Sequence, residues 1–109
     1  VKTELPFKLK ILNARGIYFF LPREIIRLEA KDNYTRIYCE GYPLFVTARV
    51  LKEYENLLAP HGFVRIHRSH IVNKFFVKTI ERGSAVLFDE TKLNISRRKK
   101  VKALEALKN

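Results

Sequence analysis

The stretch Glu24-Ile25-Ile26-Arg27-Leu28-Glu29-Ala30-Lys31-Asp32-Asn33-Tyr34-Thr35-Arg36-Ile37-Tyr38-Cys39-Glu40 decides the fold. In its first half Ile26, Leu28 and Ala30 alternate with Ile25, Arg27, Glu29 and Lys31, the period of a strand with one mainly apolar face. Asp32-Asn33 then interrupts with two residues that favour turns, and Tyr34 to Glu40 resumes with β-branched and aromatic side chains. A β-hairpin follows. Gly41 and Pro43 punctuate a second reversal into Leu44 to Thr47, which predicts three antiparallel strands in succession. Upstream, Gly16 to Phe20 reads as another short strand, separated from the hairpin by Leu21-Pro22 because proline cannot donate to a central ladder.

Downstream the period changes. Val50, Leu51, Tyr54, Leu57 and Leu58 recur at helical spacing, with Thr47 as a candidate cap and Pro60 and Gly62 as stops. Its apolar stripe reads as the cover of a small sheet. Short strands return at Phe63 to Ile66, Ile71 to Asn73, Val77 to Glu81, Ala85 to Phe88 and Lys92 to Ile95, with reversals at Arg82-Gly83-Ser84 and Asp89-Glu90. Ser96 is a good cap for a last helix from Arg97 to Leu107, where Val101, Leu104 and Leu107 share a face. The expected fold is mostly β, built from short antiparallel strands, with one amphipathic helix in the middle and a short C-terminal helix. The 109 residues predict a single domain over 1–109, since smaller pieces would lack a sufficient core.

The chain has 22 Lys plus Arg against 11 Asp plus Glu, a net charge of +11 that solubility does not require. From Thr91 to Ala103 there are six basic residues and no acid, and Arg65 to Lys78 carries Arg65, Arg68, Lys74 and Lys78 without an acid. Two such segments point to a polyanionic partner. Cys39 is the one cysteine, so an internal disulfide and a thiolate zinc site are excluded, and a reducing cytoplasm is the expected location. No apolar run reaches the roughly 20 residues of a membrane helix, and no signal-peptide pattern is present. Beginning at Val1, the sequence is expected to be a processed chain or a domain cut from a longer protein.

Three blocks lie at the expected strand ends and turns: Glu29 to Tyr38 (Glu-Ala-Lys-Asp-Asn-Tyr-Thr-Arg-Ile-Tyr), Phe63 to Asn73 (Phe-Val-Arg-Ile-His-Arg-Ser-His-Ile-Val-Asn) and Leu93 to Arg98 (Leu-Asn-Ile-Ser-Arg-Arg). In this order they resemble the LytTR DNA-binding domain, over a core of about residues 11–107. The resemblance implies an elongated, mostly β fold whose loops enter two successive major grooves while a third loop touches the backbone between them. It implies double-stranded DNA as partner, paired direct repeats bound as dimers, and the output end of a bacterial two-component response regulator behind an N-terminal receiver, here missing.

Base edges need planar donors and acceptors with reach, whereas phosphates need charge and compact donors. In the first block Lys31, Asn33, Tyr34, Thr35 and Arg36 are the candidates, with Asp32 read as turn chemistry and Asn33 divided between turn and base contact. By resemblance Thr35 falls at a major-groove position, where its hydroxyl and methyl would read weakly. Arg68 matches a backbone-contacting position, flanked by His67 and Ser69, and Lys74 joins them from the same acid-free segment. Arg98 matches a major-groove arginine, with Arg97 and Lys99 adjoining and Arg97 able to exchange roles with it. His67 and His70 are read as pointing to opposite faces of an extended chain, which argues against a metal site. No cofactor is expected. Catalytic motifs are missing too, because no phosphate loop, nucleophile elbow or paired carboxylates occur. Asn33-Tyr34-Thr35 fits a glycosylation pattern by chance. Two other readings compete: an RNA or single-strand binder stacking bases on Tyr34, Tyr38, Phe75 and Phe76, and a basic protein-interaction or membrane-surface module.

Overall fold

The computed structural model describes residues 6–109. Along the chain run β1 (Leu9–Asn13), β2 (Gly16–Phe20), β3 (Ile25–Lys31), β4 (Tyr34–Cys39), β5 (Phe45–Thr47), α1 (Leu51–Leu58), β6 (Phe63–His67), β7 (His70–Asn73), β8 (Val77–Glu81), β9 (Ser84–Leu87), β10 (Lys92–Asn94) and α2 (Lys100–Lys108). Single 3-10 turns occupy Pro22–Glu24, Ala59–His61, Lys74–Phe76 and Arg97–Lys99. The fold is mostly β, as the periodicity predicts. A five-stranded sheet in the order β5-β4-β3-β7-β6 forms the centre, flanked by the β1-β2 hairpin and the three-stranded sheet β10-β9-β8, every pairing antiparallel. The molecule measures 42 × 39 × 24 Å, a slab with one thin dimension.

The central sheet is buried on both faces by different partners. Leu28, Ile37 and Ile71 face a core closed by α1, through Leu51, Tyr54 and Leu58, and by the hairpin, through Leu9, Ile11 and Phe20. Val72 and Ile66 face a second core with Ala85, Leu87, Leu93, Ile95 and Ala103 of α2. This division explains one departure from the simple alternation. A bulge between Ile25 and Arg27 turns Ile25 into the first core and Ile26 toward the second, so Ile25 is fully buried although strict alternation puts it on the polar face.

β1 lies outside the strands expected from the sequence, although Leu9 and Ile11 alternate with exposed Lys10 and Leu12. The helix cap is also corrected. Thr47 is the last residue of β5, buried, and its hydroxyl shares a 2.7 Å hydrogen bond with the Tyr54 hydroxyl. α1 starts instead after Val50, whose N–H donates to Glu53 Oε2 at 3.3 Å while the Glu53 N–H donates to the Val50 carbonyl at 3.1 Å. The acidic side chain thus occupies an orphan donor and complements the helix N-terminus.

Candidate nucleic-acid interface

β3 and β4 are joined by the two-residue turn Asp32-Asn33, where Asp32 takes the left-handed conformation (φ 55°) that short polar side chains tolerate. Lys31, Asp32, Asn33 and Tyr34 are all exposed at this tip. β7 pairs with β3 in the register Glu29↔His70, so the Arg68-Ser69 turn between β6 and β7 emerges at the same end of the sheet. The Ala30 N–H donates to the Ser69 carbonyl at 2.9 Å and ties the two turns together.

The second turn is braced from inside and from beneath. His67 Nδ1 accepts the Ser69 N–H at 3.0 Å, which requires that nitrogen to be unprotonated. The Arg65 guanidinium donates to the carbonyls of His67 and Arg68 and, at 2.9 Å, to Glu55 of α1. Burial raises the Glu55 carboxyl, but the hydrogen bond from Arg65 and the charges of Lys52, Arg65 and Lys99 outweigh it and hold the group below its ordinary value. Arg65 therefore positions the turn, and Arg68 extends from it into solvent.

The third segment reaches this end through backbone bonds. The Ser96 N–H donates to the Ile66 carbonyl at 2.8 Å, and the Ile95 N–H to the Gly83 carbonyl at 2.8 Å. Ser96 Oγ then accepts the Lys99 N–H at 3.3 Å, capping the Arg97–Lys99 turn that leads into α2. Arg97 and Arg98 are exposed and Lys99 is half-buried. They diverge around Ser96. Arg98, Lys99 and Lys102 line a concavity of about 800 Å³ with Arg65, His67 and Arg68, whereas Arg97 and Lys100 line a neighbouring depression with Arg82. No Asp or Glu lines either one.

Several expected contacts are placed elsewhere. Thr35 is fully buried and its hydroxyl donates to the Arg49 carbonyl at 2.6 Å, so it faces the core with Ala30 and cannot reach a groove. Lys74 follows the far end of β7, roughly 17 Å from the Arg68-Ser69 turn at about 3.3 Å per residue, and its ammonium donates to the Asn109 carbonyl at 2.9 Å. Arg36 stands on the sheet face behind the tip, 3.5 Å from Glu29. Conversely, the fold delivers two cations that are not among the residues expected from the sequence. Arg49 is carried to the tip by the Thr35 bond, and Arg82 sits in the β8-β9 turn beside Ser96 with a left-handed φ of 44°. Neither has a local motif, since each depends on a long-range pairing.

The two histidines are also corrected. They form the cross-strand pair that closes the β6-β7 hairpin, with ring centroids 5.3 Å apart, because the chain reverses between them. One polar row crosses the sheet: Arg36, Glu29, His70 and His67. His70 Nδ1 is buried 3.9 Å from Glu29 Oε2 without a hydrogen-bond partner. Burial pushes the His70 pKa below its ordinary value; Glu29 pulls it up, but the neighbouring His67 and Arg27 add to burial. A depressed histidine contributes stability that is complete above its unfolded value, about 6.5, and lost as pH falls below it. The thermal midpoint is thus expected to drop between pH 7 and pH 5.5 (our chosen test values, roughly spanning that transition), and to drop less in His70→Phe. Equal pH slopes in the two proteins would show that His70 is not held neutral.

Comparison with known proteins agrees with this fold. The family model described as the LytTr DNA-binding domain matches residues 15–108. No curated protein matches the chain. Among solved structures, the LytTr DNA-binding domain assigned to a methyl-accepting/DNA response regulator from Bacillus cereus superposes with a TM-score of 0.78 at 24% identity, covering 92% of this chain and 95% of that one. The family is one of DNA binding rather than catalysis, and among the described residues no helix is long and apolar enough to cross a membrane. The chain belongs to the LytTr DNA-binding domain family, and DNA binding in transcription regulation is the function that membership carries.

Proposed function

We propose that residues 1–109 are one sequence-reading unit of a longer cytoplasmic regulator of the two-component type, with no enzymatic activity of its own. It binds paired direct repeats in double-stranded DNA. One observation carries this: three turns far apart in sequence, at Lys31 to Tyr34, His67 to Ser69 and Arg97 to Lys99, are tied to one end of the central sheet, the last two lining an acid-free concavity. The tip offers Lys31, Asn33 and Tyr34 to one groove. Arg98 offers a guanidinium to the next, where bidentate bonding to guanine O6 and N7 discriminates by about 1–3 kcal/mol. Arg68, flanked by His67 and Ser69, meets the phosphates between them. Arg97, with Arg82 and Lys100, fits a backbone contact, while Lys99 adds charge at the helix start.

Selection from a random duplex pool, followed by titration of variants, tests the proposal. Arg98→Ala is expected to lose about tenfold or more of the preference for the selected motif over random duplex, within the 1–3 kcal/mol above. Lys99→Ala is expected to weaken all duplexes nearly equally. Equal binding of every duplex by the wild-type chain would remove the sequence-reading role. The RNA alternative lacks its platform. Phe75 and Phe76 follow the far end of β7, away from the three turns, and the Tyr38 ring is already covered by Arg27 at 3.8 Å.

A further inference from the structure

From Leu5 to Arg23 the sequence carries Lys8, Lys10, Arg15 and Arg23 and no acid. β1 and β2 turn Leu9, Ile11 and Phe20 into the core and leave the cross-strand pairs Lys10↔Phe19 and Leu12↔Ile17 on the outer face. Leu12, Ile17 and Phe19 are 62%, 56% and 59% exposed, so they form an apolar patch edged by cations. Such a patch suits a protein surface better than phosphates, which offer nothing to bury aliphatic groups against.

The complementary feature lies elsewhere on the surface. A cavity of about 380 Å³ is lined by Phe75, Phe76 and Phe88 together with Glu40 and Asp89, and by no Lys or Arg. Phe75 and Phe88 are 72% and 63% exposed. Aromatic rings beside two carboxylates stand out in a chain whose basic residues outnumber its acids two to one. This cavity borders Ile26 and Leu87 of the second core, whereas the hairpin closes the first, so the two patches share no residue.

We infer that the hairpin face of one copy docks on the aromatic, acidic cavity of the next copy, Phe19 and its aliphatic neighbours against Phe75 and Phe88, and Lys10 against the carboxylates. Pairing like patches would set Lys10 against Lys10 and carboxylate against carboxylate, so each copy offers its hairpin to the cavity of the next. The contact is therefore head-to-tail, which repeats without closing. Copies on direct repeats stand in the same relation, so this geometry rests on the DNA-reading proposal, while the contact chemistry is independent of it.

Two readouts separate these claims. In the first, DNA-free, a concentrated mixture of Phe19→Cys and Phe88→Cys proteins is oxidised. Mixed crosslinks are expected to exceed those formed by either protein alone, and Cys39 stays out because it is buried with its thiol pushed up to about 12. In the second, binding to two selected motifs in tandem is compared with binding to one. The tandem gain is expected to be about tenfold, absent with the motifs inverted, lost in Lys10→Glu and Phe19→Asp, and restored when Lys10→Glu is combined with Asp89→Lys or Glu40→Lys. Single-motif affinity is expected to stay unchanged for Phe19→Asp. Crosslinks formed equally by each protein alone, an equal gain on inverted motifs, or double variants no better than Lys10→Glu overturn the inference. Mixed crosslinks without any duplex preference remove the DNA reading and leave the contact standing.

Discussion

Duplex affinity is expected to fall about a thousandfold when salt rises from about 50 mM to about 200 mM, the loss that release of roughly six condensed counterions produces. The number follows from the cations around Ser96 that are not assigned to base edges. Arg68, Lys99 and Lys102 line one depression and Arg82, Arg97 and Lys100 the other, and no acid lines either. If each neutralises one phosphate, log affinity against log salt has a slope of about −5. Fluorescence anisotropy with a labelled duplex measures it directly. Arg97→Ala should flatten the slope by about one, whereas Arg36→Ala should change it little because Glu29 already balances that guanidinium at 3.5 Å. A slope shallower than about −2 would mean that the cationic end does not lie along the duplex backbone.

The second large effect is on stability. Asn73 is 1% exposed, its amide donates to the carbonyls of Pro22 at 3.1 Å and Ile25 at 2.9 Å, and its Oδ1 accepts the Phe75 N–H at 3.1 Å. It joins the end of β7 to the turn that enters β3, two segments about fifty residues apart in sequence. Alanine there leaves three backbone groups without partners. At about 1–3 kcal/mol for each unsatisfied buried group, we expect a loss of about 3 kcal/mol or more, a large share of the roughly 5–15 kcal/mol that holds a domain together. The thermal midpoint, followed by circular dichroism, should fall by about 15 °C, taking about 4–8 °C per kcal/mol. Lys74→Ala, one residue away, should cost less than about 0.5 kcal/mol. A change below about 1 kcal/mol in Asn73→Ala would mean that water replaces all three bonds. Because Asn73 lies at the sheet end away from the cations, the variant should bind duplex normally at temperatures where it is folded.

Local chemistry made several features legible. The alternation through Glu24 to Glu40, broken by Asp32-Asn33, specifies a hairpin because period-two patterning and turn residues act over a few residues. Ser96 as cap depends only on a hydroxyl three residues before an N–H that needs an acceptor. The bulge at Ile25 to Arg27 is different: an extra residue reverses which side chains face which core, and nothing local announces it.

By itself the sequence determined the strand-rich class, the covering helix, the charge that calls for a polyanion and the ordered blocks that mark the family. These are properties of neighbouring residues or of simple sums. Only the tertiary structure decided that β3 pairs with β7, which seats the Asp32-Asn33 and Arg68-Ser69 turns side by side. It also turned Thr35 inward, sent Lys74 to the far end, separated Arg97 from Arg98 around Ser96 and brought Arg82 to join them. Where a side chain points depends on which strand its own strand finds as neighbour, and that choice is made by burial across the whole sheet.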